Sequence, residues 1–150
     1  MATVTLAMSS FIILILFHTL SSSMATVQLE SLPSYLLSAA DASDGVAPVT
    51  DETFGSFVPM SKNLVLVEFY NPWCGQNCKN IHSIMVELAN DYAGKVDFYK
   101  LNIDENPYIT NRYVIQDLPT VVFIKYGMQR DRLVGDVPKA TFIELIQLSI

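Results

Sequence analysis

The stretch that decides the fold is LVLVEFYNPWCGQNCK, residues Leu64–Lys79. Its first seven residues are β-branched, aromatic or otherwise apolar except Glu68, which is typical of a central strand covered on both faces. Residues 71–75 have the composition of a turn. A helix follows, because apolar residues recur at steps of three and four from Ile81 to Tyr92, and Gly94 ends it. A buried strand that turns directly into a long helix predicts an α/β domain.

The remaining elements are predicted from the same kinds of pattern. They are a strand at 96–103, a short helix at 106–113 with Pro107 in its first turn, a hairpin of strands at 120–126 and 129–134, and a closing helix at 138–148. Gly127 supplies the positive φ that the hairpin turn needs. Thr50 followed by Asp51 and Glu52 predicts the start of a short first helix. Together they predict a central mixed sheet with helices on both faces.

Composition limits the classes of protein that the chain can be. A chain of 150 residues that is 51% hydrophobic and 16% charged fills one sizeable core, which predicts one globular domain. Fifteen acidic residues against nine Lys and Arg give a net charge of −6, which argues against nucleic acid as a partner. Two cysteines are too few for a disulfide-dense small protein or a four-thiolate zinc module.

The N-terminal third has the composition of a leader and a linker. We divide the chain into a signal- or transit-like leader at 1–23, a linker at 24–45 and a folded domain at 46–150. The apolar run Phe11–Phe17 is too short to span a bilayer, so no membrane span is expected in the mature protein. The run favours a secretory signal, although no Lys or Arg precedes it. The alternative is an organelle transit peptide, which is favoured by the richness in Ser and Thr and by the absence of acidic residues before Glu30. Transit peptides are rich in arginine, however, and this segment has none. Residues 1–7 nearly recur at 24–30, so Met24 as a start site is a third interpretation.

Both cysteines lie at the predicted junction between strand and helix. A thiol at a helix N-terminus meets the positive end of the helix dipole, which stabilises the thiolate and lowers its pKa. Cys74 is therefore the candidate nucleophile, and Cys78, one turn later, the candidate resolving thiol. A structural disulfide and a pair of inert thiols are the alternatives. A third is a metal site of Cys74, Cys78 and His82, for which the sequence offers no fourth ligand nearby.

The spacing of the cysteines permits a disulfide. In an ideal helix, Cα atoms three residues apart are separated by about 5 Å and those four apart by about 6.2 Å. Both values lie inside the range of roughly 4.4 to 6.8 Å that a disulfide tolerates. Cys74 and Cys78 are thus expected to be within bonding reach, near the long end of that range.

Residues 46–148 resemble the thioredoxin family, and within it the plant m-type thioredoxins of the chloroplast. The resemblance rests on the segments 49–54, 65–69, 72–75, 78–79, 92–95, 100–104 and 118–120 and on Gly135. It implies a thioredoxin fold and a protein-disulfide reductase that acts on client proteins with disulfides and contributes to cell redox homeostasis and electron transport. It also implies re-reduction by a ferredoxin- or NADPH-dependent thioredoxin reductase, no metal or organic cofactor, and a location in the chloroplast stroma. The run at 11–17 keeps the secretory pathway as the alternative location.

The resemblance also assigns roles to individual residues. Pro119 would be a cis-proline beside the sulfurs, Glu68 the buried carboxylate that takes the proton of the resolving thiol, and Lys100 its partner. The surface that docks the client's backbone would consist of Trp73, Gly75, Leu118, Pro119, Val134 and Gly135. Without the resemblance, Glu68 is a polar residue on a half-buried strand, Trp73 a core residue and Pro119 a loop proline.

The chain departs from the family at its active-site turn. The family has Cys-Gly-Pro-Cys, whereas here three residues, Gly75, Gln76 and Asn77, separate the cysteines and the proline is missing. Loss of the proline removes rigidity before the helix, so we expect altered reactivity. The alternative function is a redox-inactive thioredoxin-like module that binds extended client polypeptides.

Overall fold

The structure is a computed structural model and describes residues 44–150. The predicted leader, the repeated segment at Met24 and nearly all of the predicted linker lie outside these residues. The elements are β1 Ala47–Pro48, α1 Phe54–Phe57, β2 Leu64–Tyr70, α2 Gln76–Asp91, β3 Val96–Asn102, α3 Pro107–Arg112, β4 Thr120–Lys125, β5 Met128–Val134 and α4 Lys139–Ser149. Across residues 44–150, every helix is too short or too polar to cross a bilayer.

One five-stranded sheet organises the domain, in the order β1-β3-β2-β4-β5. β3 runs parallel to both β1 and β2, while β4 runs antiparallel to β2 and β5 runs antiparallel to β4. The sheet is therefore mixed, as predicted. Because β2 is the middle strand, the turn that follows it emerges at the centre of one end of the sheet.

The alternation of side chains along β2 divides the core into two clusters, one on each face of the sheet. Leu64 and Leu66 pack with residues of α2 and α4, whereas Val65, Val67 and Phe69 pack with residues of α1 and α3. Helices thus cover both faces, as predicted. Glu68 has the parity of Leu64 and Leu66, so its side chain lies on the face that α2 covers.

The first helix differs from the sequence-based expectation. Helix α1 begins at Phe54 rather than at Thr50, so the interpretation of Asp51 as its starting acid is wrong. The Asp51 carboxylate instead accepts hydrogen bonds from the backbone N–H groups of Tyr108 and Ile109, each at 2.9 Å. These are the second and third residues of α3, whose N–H groups have no partner within their own helix. Asp51 therefore caps α3.

Replacement of Asp51 tests this capping contact. We expect Asp51→Ala to lower the free energy of unfolding by about 1–2 kcal/mol, as loss of a helix cap does. The midpoint of urea denaturation measures it, and Glu52→Ala is the matched control because Glu52 is an exposed neighbour expected to change stability by less than about 0.5 kcal/mol. Equal midpoints for the two variants would contradict the assignment.

Candidate active site

A short turn carries the chain from β2 to α2. The backbone N–H of Trp73 donates to the side-chain oxygen of Asn71 at 3.1 Å, and the backbone N–H of Cys74 donates to the carbonyl of Asn71 at 3.3 Å. An asparagine that binds the backbone two residues ahead in this way is a common means of forming a turn. The turn leaves the side chain of Trp73 85% exposed, so the alternative that Trp73 is a core residue is wrong.

Gly75 separates the turn from the helix. It has φ 72° and ψ −144°, and α2 begins at the next residue. Backbone of this kind is open essentially to glycine alone. Apart from Gly75 and its two chain neighbours, no described residue places a heavy atom within 4 Å of the position of an added Cβ, so the need for glycine comes from backbone conformation and not from crowding. Cys74 therefore lies just before the helix, and Cys78 is its third residue.

Cys74 and Cys78 form a disulfide, with their Cα atoms 5.6 Å apart. The separation is shorter than the roughly 6.2 Å of an unbroken helix, because Gly75 departs from the helical conformation. The expected bond across three intervening residues is confirmed. The two cysteines differ in accessibility: Cys78 is only 7% exposed, whereas Cys74 is partly exposed. Cys74 is thus the more accessible of the two bonded residues.

The loop before β4 contains a cis peptide bond between Leu118 and Pro119, as the resemblance to thioredoxins implied. The backbone N–H of Gly135 donates to the carbonyl of Pro119 at 2.8 Å. Next to this bond, Thr120 and Val134 are paired residues of β4 and β5. The four residues 118, 119, 134 and 135 of the predicted docking surface therefore lie together. The side chain of Val134 is 49% exposed.

Side chains join this loop region to the first turns of α2. The Asn80 amide donates to a carboxylate oxygen of Asp136 at 3.2 Å, and Gln76 donates to the Asn80 side-chain oxygen at 2.9 Å. Asp136 directly follows Gly135. The cysteine-bearing helix and the loop after β5 are therefore neighbours, and Gln76 takes part in their contact.

Behind the disulfide, a hydrogen-bonded chain of side chains starts at Glu68, which is 1% exposed. One oxygen of Glu68 lies 2.9 Å from Nδ1 of His82, and Nε2 of His82 lies 3.1 Å from Asp44. The same Asp44 oxygen is 3.5 Å from Nζ of Lys100. The sequence suggested Lys100 as the partner of Glu68. The two residues are adjacent in the register of β2 and β3, but the side chain in contact with Glu68 is His82.

Sequence reasoning gave His82 only a role as a metal ligand and gave Asp44 no role. Asp44 lay in the segment assigned to the linker. The one local sequence signal was that Asp44 precedes Gly45, which is typical of a turn. The structure contains this turn, in which the Asp44 carboxylate accepts a hydrogen bond from the backbone N–H of Val46 at 3.0 Å. Within residues 44–150 no three His, Cys, Asp or Glu side chains are arranged to hold a metal ion. Cys74 and Cys78 are bonded to each other, and His82 contacts two carboxylates.

A cavity of about 440 Å³ links this chain to the disulfide. Glu68, Cys78, His82 and Lys100 all contribute to its lining. A cavity of this size with polar groups in its wall has room for water. Cys78 and the Glu68 carboxylate therefore line one shared space.

The contacts of His82 and Asp44 shift both of their pKa values. The hydrogen bond with Glu68 raises the pKa of His82 above 6.5; burial opposes this, and the charge of Glu68 and the hydrogen bond with Asp44 add to it. Burial acts to raise the pKa of Asp44, but the hydrogen bond from Val46 and the charge of Lys100 outweigh it, so the pKa falls below 3.8. The imidazolium form of His82 is thus favoured, and both of its N–H groups then donate to carboxylates.

Comparison with known proteins bears on the same part of the chain. The family model Thioredoxin matches residues 45–148. The chain is 45% identical to the chloroplastic thioredoxin M-type of Pisum sativum over 112 residues, which cover 75% of this chain and 64% of that protein. The corresponding protein of Spinacia oleracea is 41% identical over 114 residues, or 76% and 62% of the two chains.

Thioredoxin 1 of a Nostoc species is 41% identical over 101 residues, which cover 67% of this chain and 94% of that protein. The matched part spans less than two thirds of the two plant proteins but nearly all of the shorter cyanobacterial one. The resemblance to plant m-type thioredoxins is thus confirmed, and the match lies on the residues that build the sheet, the disulfide turn and the cis-proline loop. The chain belongs to the thioredoxin family.

Proposed function

We propose that this protein is a thiol-disulfide oxidoreductase that reduces disulfides in client proteins. The observation that carries the proposal is the unequal exposure of the two bonded cysteines at the N-terminus of α2. A partly exposed Cys74 can attack a client, while Cys78, 7% exposed, is kept from competing clients and is placed to attack only Cys74. This arrangement is that of an attacking and a resolving thiol.

The first step is attack of the Cys74 thiolate on one sulfur of a client disulfide. The client's S–S bond breaks, a mixed disulfide with Cys74 forms, and the client's other sulfur leaves as a thiolate and takes a proton from water. Unpaired N–H groups in the first turn of α2 and the helix dipole stabilise the attacking thiolate. Cys74 lies one residue before the N-cap Gly75, which is near enough to the helix terminus for this effect.

The second step releases the client. Cys78 gives its proton to Glu68 through the shared cavity, and the resulting thiolate attacks Sγ of Cys74. The Cys74–Cys78 disulfide forms, the client's second thiolate leaves and is protonated, and the client has gained two electrons and two protons. A ferredoxin- or NADPH-dependent thioredoxin reductase then returns two electrons to the pair. The chemistry needs no metal or organic cofactor, because the sulfurs carry the electrons.

The docking surface for clients would combine Trp73 and Gly75 with the loop residues Leu118, Pro119, Val134 and Gly135. The exposed fraction of Trp73, 85%, supports this role, because a large apolar side chain exposed beside a reactive group is typical of an interaction site. The backbone of an extended client segment would lie across the loop, with its disulfide at Cys74.

We propose that the protein acts in the chloroplast stroma. The names of its plant relatives support this in part, because they assign those proteins to the chloroplast. A fusion of residues 1–45 to a fluorescent protein tests the location, because this segment contains the predicted leader. We expect the fluorescence in chloroplasts of plant cells. Accumulation in the endoplasmic reticulum would favour the secretory alternative based on residues 11–17.

Variants of the cysteines test the proposed reaction in an insulin reduction assay with dithiothreitol. We expect the wild-type protein to accelerate reduction and Cys74→Ser to lower the rate to that of dithiothreitol alone, since the attacking sulfur is gone. Cys78→Ser should retain the first step and accumulate a covalent adduct with insulin, visible by intact mass. A wild-type protein that binds an extended client peptide without accelerating reduction would contradict the proposal and favour the binding module.

Restoration of the family's turn tests whether the extra residue alters reactivity. We expect deletion of Gln76 combined with Asn77→Pro to raise kcat/KM for insulin and to shift the reduction potential by about 30 mV, which corresponds to a tenfold change in equilibrium constant. The physical reason is the shorter, more rigid connection between the thiols. Asn77→Ala, which keeps the length of the turn at an exposed position, is the matched control and should remain within about twofold of the wild type. The account of the turn is wrong if the repaired protein keeps wild-type kinetics and potential.

A further inference from the structure

The proton that Glu68 takes up in the resolving step has a path away from the buried carboxylate. Glu68 is 1% exposed and lies on the central strand beneath α2, so it has little direct contact with bulk water. The groups joined to it lead outward: His82 at 2.9 Å, and then Asp44 at 3.1 Å from the far ring nitrogen. The side chains of His82 and Asp44 are 34% and 28% exposed, against 2% for Glu68.

We propose that His82 and Asp44 form the route by which the proton received by Glu68 reaches solvent. The inference rests on the proposed function and extends it, because it assigns a role to two residues outside the disulfide turn. An imidazole suits this role, since its two ring nitrogens can accept a proton on one side and release another on the opposite side. His82 acts through Glu68 and is therefore a positioning and relay residue.

The transfer balances without a further reactant. The transfer starts from the neutral form of His82 that carries its one proton on Nε2. Nδ1 then accepts the proton of Glu68, and the ring releases the proton on Nε2 through Asp44 to water. No electrons move, and the ring is left protonated on Nδ1. When the reductase later restores the dithiol, a proton from water enters at Nε2 and the one on Nδ1 returns through Glu68 to Cys78. One catalytic cycle thus resets the ring.

The charges around His82 support both halves of this transfer. Glu68 on β2 and Asp44 before β1 face its two nitrogens, Lys100 on β3 pairs with Asp44 at 3.5 Å, and Lys79 of α2 lines the same cavity. The two carboxylates favour the imidazolium that forms in the middle of the transfer, and Lys100 opposes it. The raised pKa of His82 keeps this form accessible near neutral pH, while the charge of Lys100 helps to expel the proton.

His82→Gln is the principal test, because the glutamine amide can still donate a hydrogen bond to one of the carboxylates but cannot carry a proton. Trp73 is the single tryptophan of the chain and adjoins Cys74, so its fluorescence can follow the two steps of a single turnover with a client disulfide. We expect formation of the mixed disulfide to stay at the wild-type rate and the resolving step to slow by about tenfold or more. The pH profile of the resolving step should lose the inflection that belongs to His82.

His82→Ala with added imidazole gives an independent result. We expect free imidazole to restore the resolving step, because it can occupy the space of the partly exposed ring, and to have little effect on His82→Gln. Asn90→Ala, an exposed polar residue of the same helix, is the matched control and should keep the wild-type pH profile. A wild-type profile for His82→Gln, or a slow His82→Ala that imidazole leaves unchanged, would overturn the relay.

The dependence of folding stability on pH tests the contact between His82 and Glu68, on which the relay depends. The folded protein holds the His82 proton more tightly than the unfolded chain does. The protonated His82 therefore contributes its full stabilisation below about pH 6.5, the usual pKa of histidine. This stabilisation is lost as the pH rises through the raised pKa of His82 in the folded protein. The free energy of unfolding of the oxidised wild type should fall over this interval, and His82→Gln should lack that fall.

The relay and the proposed function fail in distinguishable ways. A wild-type protein without reductase activity refutes the function itself. If the wild type is active and Glu68→Gln slows the resolving step while His82→Gln does not, the oxidoreductase stands and only the proton route is wrong.

Discussion

The backbone conformation of Gly75 is the constraint on which the site depends. A positive φ at this residue ends the turn after β2 and lets α2 begin one residue later, so that Cys74 lies outside the helix while Cys78 lies within it. The two sulfurs are bonded across three residues at a Cα separation of 5.6 Å for this reason. The different exposure of the sulfurs follows from the same geometry, because one lies on the turn and the other on the buried face of the helix.

The alternation of a buried strand places the second part of the site. Glu68 shares the face of β2 with Leu64 and Leu66, and this face is covered by α2, which carries both Cys78 and His82. An apolar residue at 68 would merely extend the core. A carboxylate there needs a polar partner, since burial of an unpaired charge is costly, and His82 supplies one at 2.9 Å. The alternation of side chains along β2 and the spacing of side chains along α2 thus together bring Glu68 and His82 into contact behind the disulfide.

Contacts between residues near each other in sequence were predictable, and contacts between distant residues were not. The mixed sheet, the positive φ at Gly127, the cis-proline and the bonded cysteines follow from local patterns or from the family motifs. The role of Asp51 as a cap does not, because its partners lie 57 and 58 residues further on. Asp44 is missed for the same reason: its contact with His82 spans 38 residues, and nothing in a turn-like Asp-Gly pair indicates what lies across the fold.

The position of β5 at the margin of the sheet has a consequence for solubility. Its outer side is free of a neighbouring strand within the described residues, and an edge of this kind can add an extended segment of another chain as a sixth strand. Consecutive charged side chains, Arg130, Asp131 and Arg132, make that edge a poor template for pairing. Extended chains are thereby discouraged from pairing with this margin of the sheet, which keeps copies of the protein from joining edge to edge.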